Sequence, residues 1–164
     1  MFATRPWRCG DEADEAFLWE MLYLSIHVRA GDRRPPRSVL DEPEIAHYLV
    51  DFGATAGDDA QIAYTTGDGV SIGAAFCRRM PAHDPGYGFV AADVPEVGMA
   101  VISEWRGRGV GTALLQAMLG RHPTMSLSVD DDNVRAIALY RRLGFVDHAT
   151  AGATTTMLRV PQVQ

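Results

Sequence analysis

Glu96-Val-Gly-Met-Ala-Val-Ile-Ser-Glu-Trp-Arg-Gly-Arg-Gly-Val-Gly111 reads as a strand, a turn and the start of a helix in direct succession. Val97 to Ile102 has the apolar and β-branched content of a strand. From Gly109 to Leu119, Val110, Ala113, Leu114, Ala117 and Met118 fall at the spacing of one helix face, and Gly120 and Pro123 are expected to end it. The first N–H groups of a helix have no internal partner and its dipole adds positive potential, so the turn is predicted to hold an anion. Gly107, Gly109 and Gly111 let the backbone approach that anion closely. Arg106 and Arg108 can add charge-assisted bonds. Two nucleotide motifs fail on spacing: no Lys-Ser/Thr follows the glycines, and Thr112 and Leu114 stand where a dinucleotide site continues its glycine pattern.

Outward from this unit, Met125 to Val129 predicts a strand and Val134 to Leu143 a helix, begun by Asp130 to Asn133 and stopped at Gly144. Phe145 to Val146 and the β-branched Thr154 to Val160 are expected closing strands. Upstream, Gln61 to Tyr64 and Val70 to Arg78 flank Thr66-Gly67-Asp68-Gly69 and predict a hairpin. Met80 to Pro95 is a long loop of the kind that forms lids or binding loops. Phe2 to Trp7 predicts a first strand, and a helix from Asp11 to about His27 carries apolar residues all round, so it is buried or lines a cleft. Ala30 to Arg37 is loop, and Glu44 to Asp51 a short second helix behind Pro43. This order predicts antiparallel pairing in the first half and one parallel crossover in the second.

With 164 residues and no linker or repeat, a single domain over 1–164 is expected, burying about two thirds of its unfolded surface. Apolar content of 47% with 22% charged residues excludes disordered and low-complexity classes. A net charge of -6 and a pI near 5.3 argue against a nucleic-acid partner. Charges break every apolar run well short of the roughly 20 residues a bilayer span needs, and Met1 to Glu12 lacks a signal-peptide core. A cytoplasmic protein without membrane contact is expected. Cys9 and Cys77 fit neither a disulfide framework nor a zinc spacing and read as packing thiols.

Arg106-Gly-Arg-Gly109-Val-Gly111 resembles the Arg/Gln-x-x-Gly-x-Gly/Ala signature of the GNAT family of N-acetyltransferases. Asn133-Val-Arg-Ala136-Ile-Ala-Leu139-Tyr140-Arg-Arg-Leu143-Gly144-Phe145 resembles the family's Asn-x-x-Ala-x-x-Leu-Tyr-x-x-x-Gly-Phe element, at the family's separation. The likeness spans residues 96 to 146; residues 1 to 60 share only the layout. It implies an α/β (α+β) fold: a mixed, mostly antiparallel sheet with helices on both faces and one parallel strand-helix-strand acyl-CoA site. It also implies an enzyme that moves an acetyl group from acetyl-CoA to a primary amine of a small molecule or protein. By the same resemblance Arg106, Gly107, Arg108, Gly109, Val110, Gly111 and Thr112 would bind the coenzyme pyrophosphate. The strand Met99 to Ile102 would offer its N–H and C=O groups to the pantetheine arm, splayed from Met125 to Val129, with the Val101 amide donating to the thioester carbonyl. Tyr140 would donate to the coenzyme sulfur, which a phenol protonated at pH 7 can do; the other reading is a core tyrosine with its hydroxyl at the surface. Asn133 would hold the arm or cap its helix.

Glu96, two residues before Gly98, is the candidate general base, against a solvated carboxylate at a strand end. Glu104, His83, Asp84, Tyr87 and His27 are weaker candidates. Asp130, Asp131 and Asp132 lack the spacing of a calcium loop and are assigned to helix-dipole complementation, with no metal. Two other classes stay open: an acyl-CoA sensor without turnover, and an interaction protein using Trp19 and Tyr23. The acceptor amine, the acyl length and the oligomeric state, a homodimer included, are left open by the sequence.

Overall fold

The computed structural model describes residues 1–163. Its elements are β1 (Phe2–Pro6), α1 (Glu12–Ser25), α2 (Pro43–Ala46), β2 (Asp59–Thr65), β3 (Ser71–Arg78), β4 (Glu96–Val101), α3 (Val110–Arg121), β5 (Met125–Asp130), α4 (Val134–Arg142), β6 (Val146–Ala151) and β7 (Thr154–Arg159). Short 3-10 turns occupy Arg37–Asp41 and Ser103–Trp105. The strands form one sheet in the order β1-β2-β3-β4-β5-β7-β6. Every neighbouring pair is antiparallel except β4 with β5, the parallel pair bridged by α3.

The alternation of side chains along the strands divides the core into two layers. On one face Ala75, Cys77 and Val97 pack with Leu114, Leu115 and Met118 of α3 and with Met125, Leu127, Phe145 and Met157. On the other, Ile62, Ala74, Phe76 and Ala100 meet Leu18, Met21 and Leu22 of α1 and Tyr48 and Leu49 beyond α2. Helices thus cover both faces, as expected. Asp11 caps α1 by accepting from the Asp14 amide at 3.0 Å. Asp14 itself is buried against Arg5, whose two 2.7 Å hydrogen bonds hold its carboxyl far below the usual range and tie β1 to α1.

Several expected boundaries shift, each through a side chain from elsewhere. α1 ends at Ser25 rather than His27, because Arg34 donates to the carbonyls of Tyr23 and Ile26 (3.1 and 3.2 Å) and replaces the next helical turn. The helix expected over 44–51 stops at Ala46; Arg78 draws the His47 and Val50 carbonyls to itself, and Asp51 has a positive φ of 52°. α3 runs through Gly120 to Arg121, since Arg121 and His122 both anchor to Asp59, at 2.7 and 2.8 Å. The strand expected at 145–146 is β6, fully exposed along its length at the sheet edge. Cys77 is a buried packing thiol, pushed up to about 12 by burial, whereas Cys9 is exposed. Tyr23 is buried, which removes the proposed Trp19–Tyr23 interaction patch. No helix among the described residues is long and apolar enough to cross a membrane.

Candidate active site

β4 and β5 are in register only where Glu96 meets Ser126, and beyond that point the strands part. On the β3 side, the Ile102 amide donates to Ile72 at 2.9 Å, and the register pairs Gly73 with Val101. Antiparallel alternation then turns the peptide groups of Val97, Met99 and Val101 away from β3 and into the opening. The opening continues into a cleft of about 1080 Å³ that runs from the end of α1 past β4 to the starts of α3 and α4.

At one end of the cleft, Gly109 caps α3 with φ +83°, a conformation other residues resist, and nothing stands within 4 Å of where its side chain would be. The α3 N-terminus is therefore open to an anion. Arg106 Nε donates to the Val101 carbonyl at 3.0 Å, fastening the turn to the end of β4. The Val101 amide keeps its direction into the opening. Arg108 stacks 5.1 Å from the Trp105 ring. Val110 is buried in the core with Leu114 and Met118. A side chain at Gly111 would meet Met99 and Leu139 at 3.1 and 3.3 Å, so the missing Cβ lets α3 seat closely on β4 and α4. Thr112 and Gly107 line the cleft. Asn133 caps α4, accepting from the Ala136 amide at 3.4 Å, and also lines the cleft. Tyr140, on the cleft wall with its ring 5.8 Å from Phe145, has its phenol pushed up to about 12 by burial.

At the other end lies Glu96, and it is not a solvated strand end. It is 5% exposed, its Oε1 accepts from the Tyr48 hydroxyl (2.6 Å) and the Gly88 amide (2.8 Å), and its Oε2 is buried with no partner. Burial pushes its carboxyl above the usual range, against the opposing pull of the Tyr48 and Gly88 hydrogen bonds. The loop between β3 and β4 is folded over it: a side chain at Gly86 would lie 2.0 Å from Oε2, and one at Gly88 2.5 Å from the Leu127 backbone. Gly98 leaves space for the Phe76 ring beside Glu96. Leu22, Leu24, Ile26, Ile45 and Phe76 give this end an apolar lining.

The other polar candidates separate. Asp84 pairs with His47 at 2.9 Å and Tyr87 lines the cleft, whereas His83 and Glu104 are exposed. His27 Nε2 meets Asp132 at 3.0 Å, and Arg29 stands 3.6 Å from Asp130. Asp131 accepts from Thr155 at 2.7 Å. Asp130 and Asp132 thus strap the segment after α1 to the β5–α4 turn, where the sequence suggested only a dipole role. His27, Asp130 and Asp132 bring possible ligand atoms within 4.8 Å of one another, but the neighbouring Arg29 already offsets their charge. Sequence reasoning missed Tyr48 and His47, which sit in a turn without periodic pattern. The available signal was glycine: Gly86, Gly88 and Gly98 all mark close approaches.

The sequence model of the acetyltransferase (GNAT) family matches residues 25–145. No protein of curated function matches significantly. Among solved structures, YncA from Salmonella typhimurium, determined with its cofactor acetyl-CoA, is 18% identical and superposes with a TM-score of 0.66 over 100% of this chain and 96% of its own. A GNAT-family acetyltransferase from Streptococcus pneumoniae is 14% identical, with a TM-score of 0.66 over 98% and 100% of the two chains. The ribosomal-protein-S18-alanine N-acetyltransferase from Escherichia coli is 16% identical, with a TM-score of 0.63 over 100% and 97%. At these identities the structures speak for the fold, and the family match covers the strand-turn-helix and α4 that form the cleft wall: the chain belongs to the acetyltransferase (GNAT) family.

Proposed function

We propose that this chain, acting as one domain over residues 1–164, transfers an acetyl group from acetyl-CoA to a primary amine of a small molecule or protein. The observation that carries the reading is a single cleft joining an open helix N-terminus at Gly109 to a buried carboxylate with one unpartnered oxygen at Glu96. When bound, acetyl-CoA supplies the thioester carbon that the amine attacks. The α3 N-terminus and the turn from Arg106 to Thr112 hold its pyrophosphate, and Asn133 and the β4 edge hold the arm. The Val101 amide donates to the carbonyl oxygen as charge builds on it, the kind of fixed donor that contributes a few kcal/mol to transition-state stabilisation. Glu96 accepts the proton that the amine nitrogen loses as the N–C bond forms, and Tyr140 gives a proton to the sulfur as the C–S bond breaks. A carboxyl raised by burial is a better proton acceptor than an exposed one, and a raised phenol is reliably protonated at neutral pH.

The test is thiol release from acetyl-CoA in the presence of a panel of primary amines. Amine-dependent release is expected. Calorimetric binding of acetyl-CoA with no release for any amine would replace the transferase with a non-catalytic acyl-CoA sensor.

A further inference from the structure

We propose that Tyr48 is the positioning residue of the base: its hydroxyl, itself held by the Tyr87 amide, fixes Glu96 with one oxygen fully bonded and the other left for the amine's proton. The proposal rests on the reading of Glu96 as the base.

The bonding leaves little choice of geometry. The Tyr48 hydroxyl has one proton, donated to Glu96 Oε1 at 2.6 Å, and its oxygen accepts from the Tyr87 amide at 2.8 Å. The Gly88 amide brings a second donor to the same Oε1 at 2.8 Å. Both lone-pair directions of Oε1 are occupied, while Oε2 has none of its own filled. The missing side chain of Gly86 is what admits this arrangement, since its Cβ would stand 2.0 Å from Oε2 and 2.6 Å from the Tyr48 oxygen. Tyr48 is itself immobilised. It is buried, its ring meets His47 edge-on at 4.7 Å, and Arg78 holds the turn that carries it by donating to His47 and Val50 at 2.9 and 2.7 Å.

The charged and titratable groups around Glu96 leave Tyr48 as the one that touches it. Arg78 lies opposite Glu96 in the β3–β4 register, but its guanidinium is bonded to Asp58 at 2.8 Å. His47 is tied to Asp84, and Tyr87 reaches the cluster through its backbone. A hydroxyl donating to a carboxylate favours the ionised form, so Tyr48 opposes the effect of burial on Glu96.

The experiment is the pH profile of kcat/KM for thiol release, using acetyl-CoA and the best amine of the panel, in the wild type, Tyr48→Phe and Glu96→Gln. Tyr48→Phe is expected to move the acidic limb upward by about one pH unit, a roughly tenfold loss below the limb that is recovered at higher pH. The KM for acetyl-CoA should stay put. Because Tyr48→Phe also leaves the Tyr87 amide unpaired, replacement of Tyr48 by 2,3-difluorotyrosine, a stronger donor of nearly the same size, runs the test in the opposite direction and should move the limb down. A limb that vanishes in Glu96→Gln yet stays fixed in both Tyr48 proteins overturns the positioning role alone. A limb that persists in Glu96→Gln overturns the base itself, and the positioning role with it.

Discussion

The two ends of the cleft are built from different materials. The coenzyme end is mainly backbone: the β4 edge, the turn through Gly107 and Gly109 and the first amides of α3 follow one another in the chain, and most of the turn is exposed. The acceptor end is mainly side chain, with the buried Tyr48 from the turn after α2, Phe76 from β3 and Glu96 from β4 packed against the loop at Gly86–Gly88. A backbone site is sensitive to φ and indifferent to most side chains. A packed side-chain site is sensitive to volume and to charge, and substitutions that look similar should therefore fail in different ways at the two ends.

The largest expected effect belongs to Tyr140, a side chain with a chemical role at the backbone-built end. Tyr140→Phe keeps the ring against Phe145, so coenzyme affinity and Tm should hardly move while the single-turnover rate falls by roughly 10²- to 10⁴-fold. An unchanged single-turnover rate in folded protein would reduce Tyr140 to a wall of the cleft. Next is Gly109→Val. Its φ of +83° makes a β-branched residue cost about 1–3 kcal/mol, which the chain can relieve by moving the turn. Acetyl-CoA affinity measured by calorimetry should drop by at least roughly tenfold with the fold intact; retained affinity would place the pyrophosphate elsewhere.

The acceptor end should answer the opposite way. Gly88→Ala drives a Cβ into the Leu127–Ser128 backbone, with a cost of about 1–3 kcal/mol and a Tm lowered by several degrees, while acetyl-CoA binding survives. Stability unchanged in that variant would mean the loop is not seated as described.

The smallest effect is one of sign. Glu96 has a raised carboxyl in the folded state, so its contribution to stability is full below the unfolded value near 4.3 and is lost as pH rises through the folded value. Asp14, lowered by Arg5, behaves inversely: its contribution is present above the unfolded value and lost as pH falls. Thermal melts should show Glu96→Gln slightly more stable than the wild type at pH 7, with the gain gone below about pH 4. A destabilised Glu96→Gln at pH 7 would show that burial does not dominate at this carboxylate.

The same contrast explains what could be read before the structure. The strand, glycine turn and helix from Glu96 to Gly111 are local, so propensity and spacing encode them, and the family signature lies in the same residues. Asn133 as a cap and Gly144 as a stop are local signals too. Glu96 was legible as a candidate but not as a buried one, because its burial comes from Tyr48 and a loop that only tertiary packing brings over it. The missed helix ends have the same origin: Arg34 takes the last carbonyls of α1, and Asp59 of β2 holds the last turn of α3. β6 carried no periodic pattern because all six of its residues are exposed.

The claim beneath all of this is that the cleft is an acetyl-CoA site with its anion end at Gly109. Titration of acetyl-CoA into coenzyme-free wild-type protein, followed by thermal melts of the same sample, tests it. Binding at one site is predicted, with about 2.7 kcal/mol of added stability at 100 times the dissociation constant. Folded protein that shows neither heat of binding nor a shift in Tm at millimolar acetyl-CoA would contradict it.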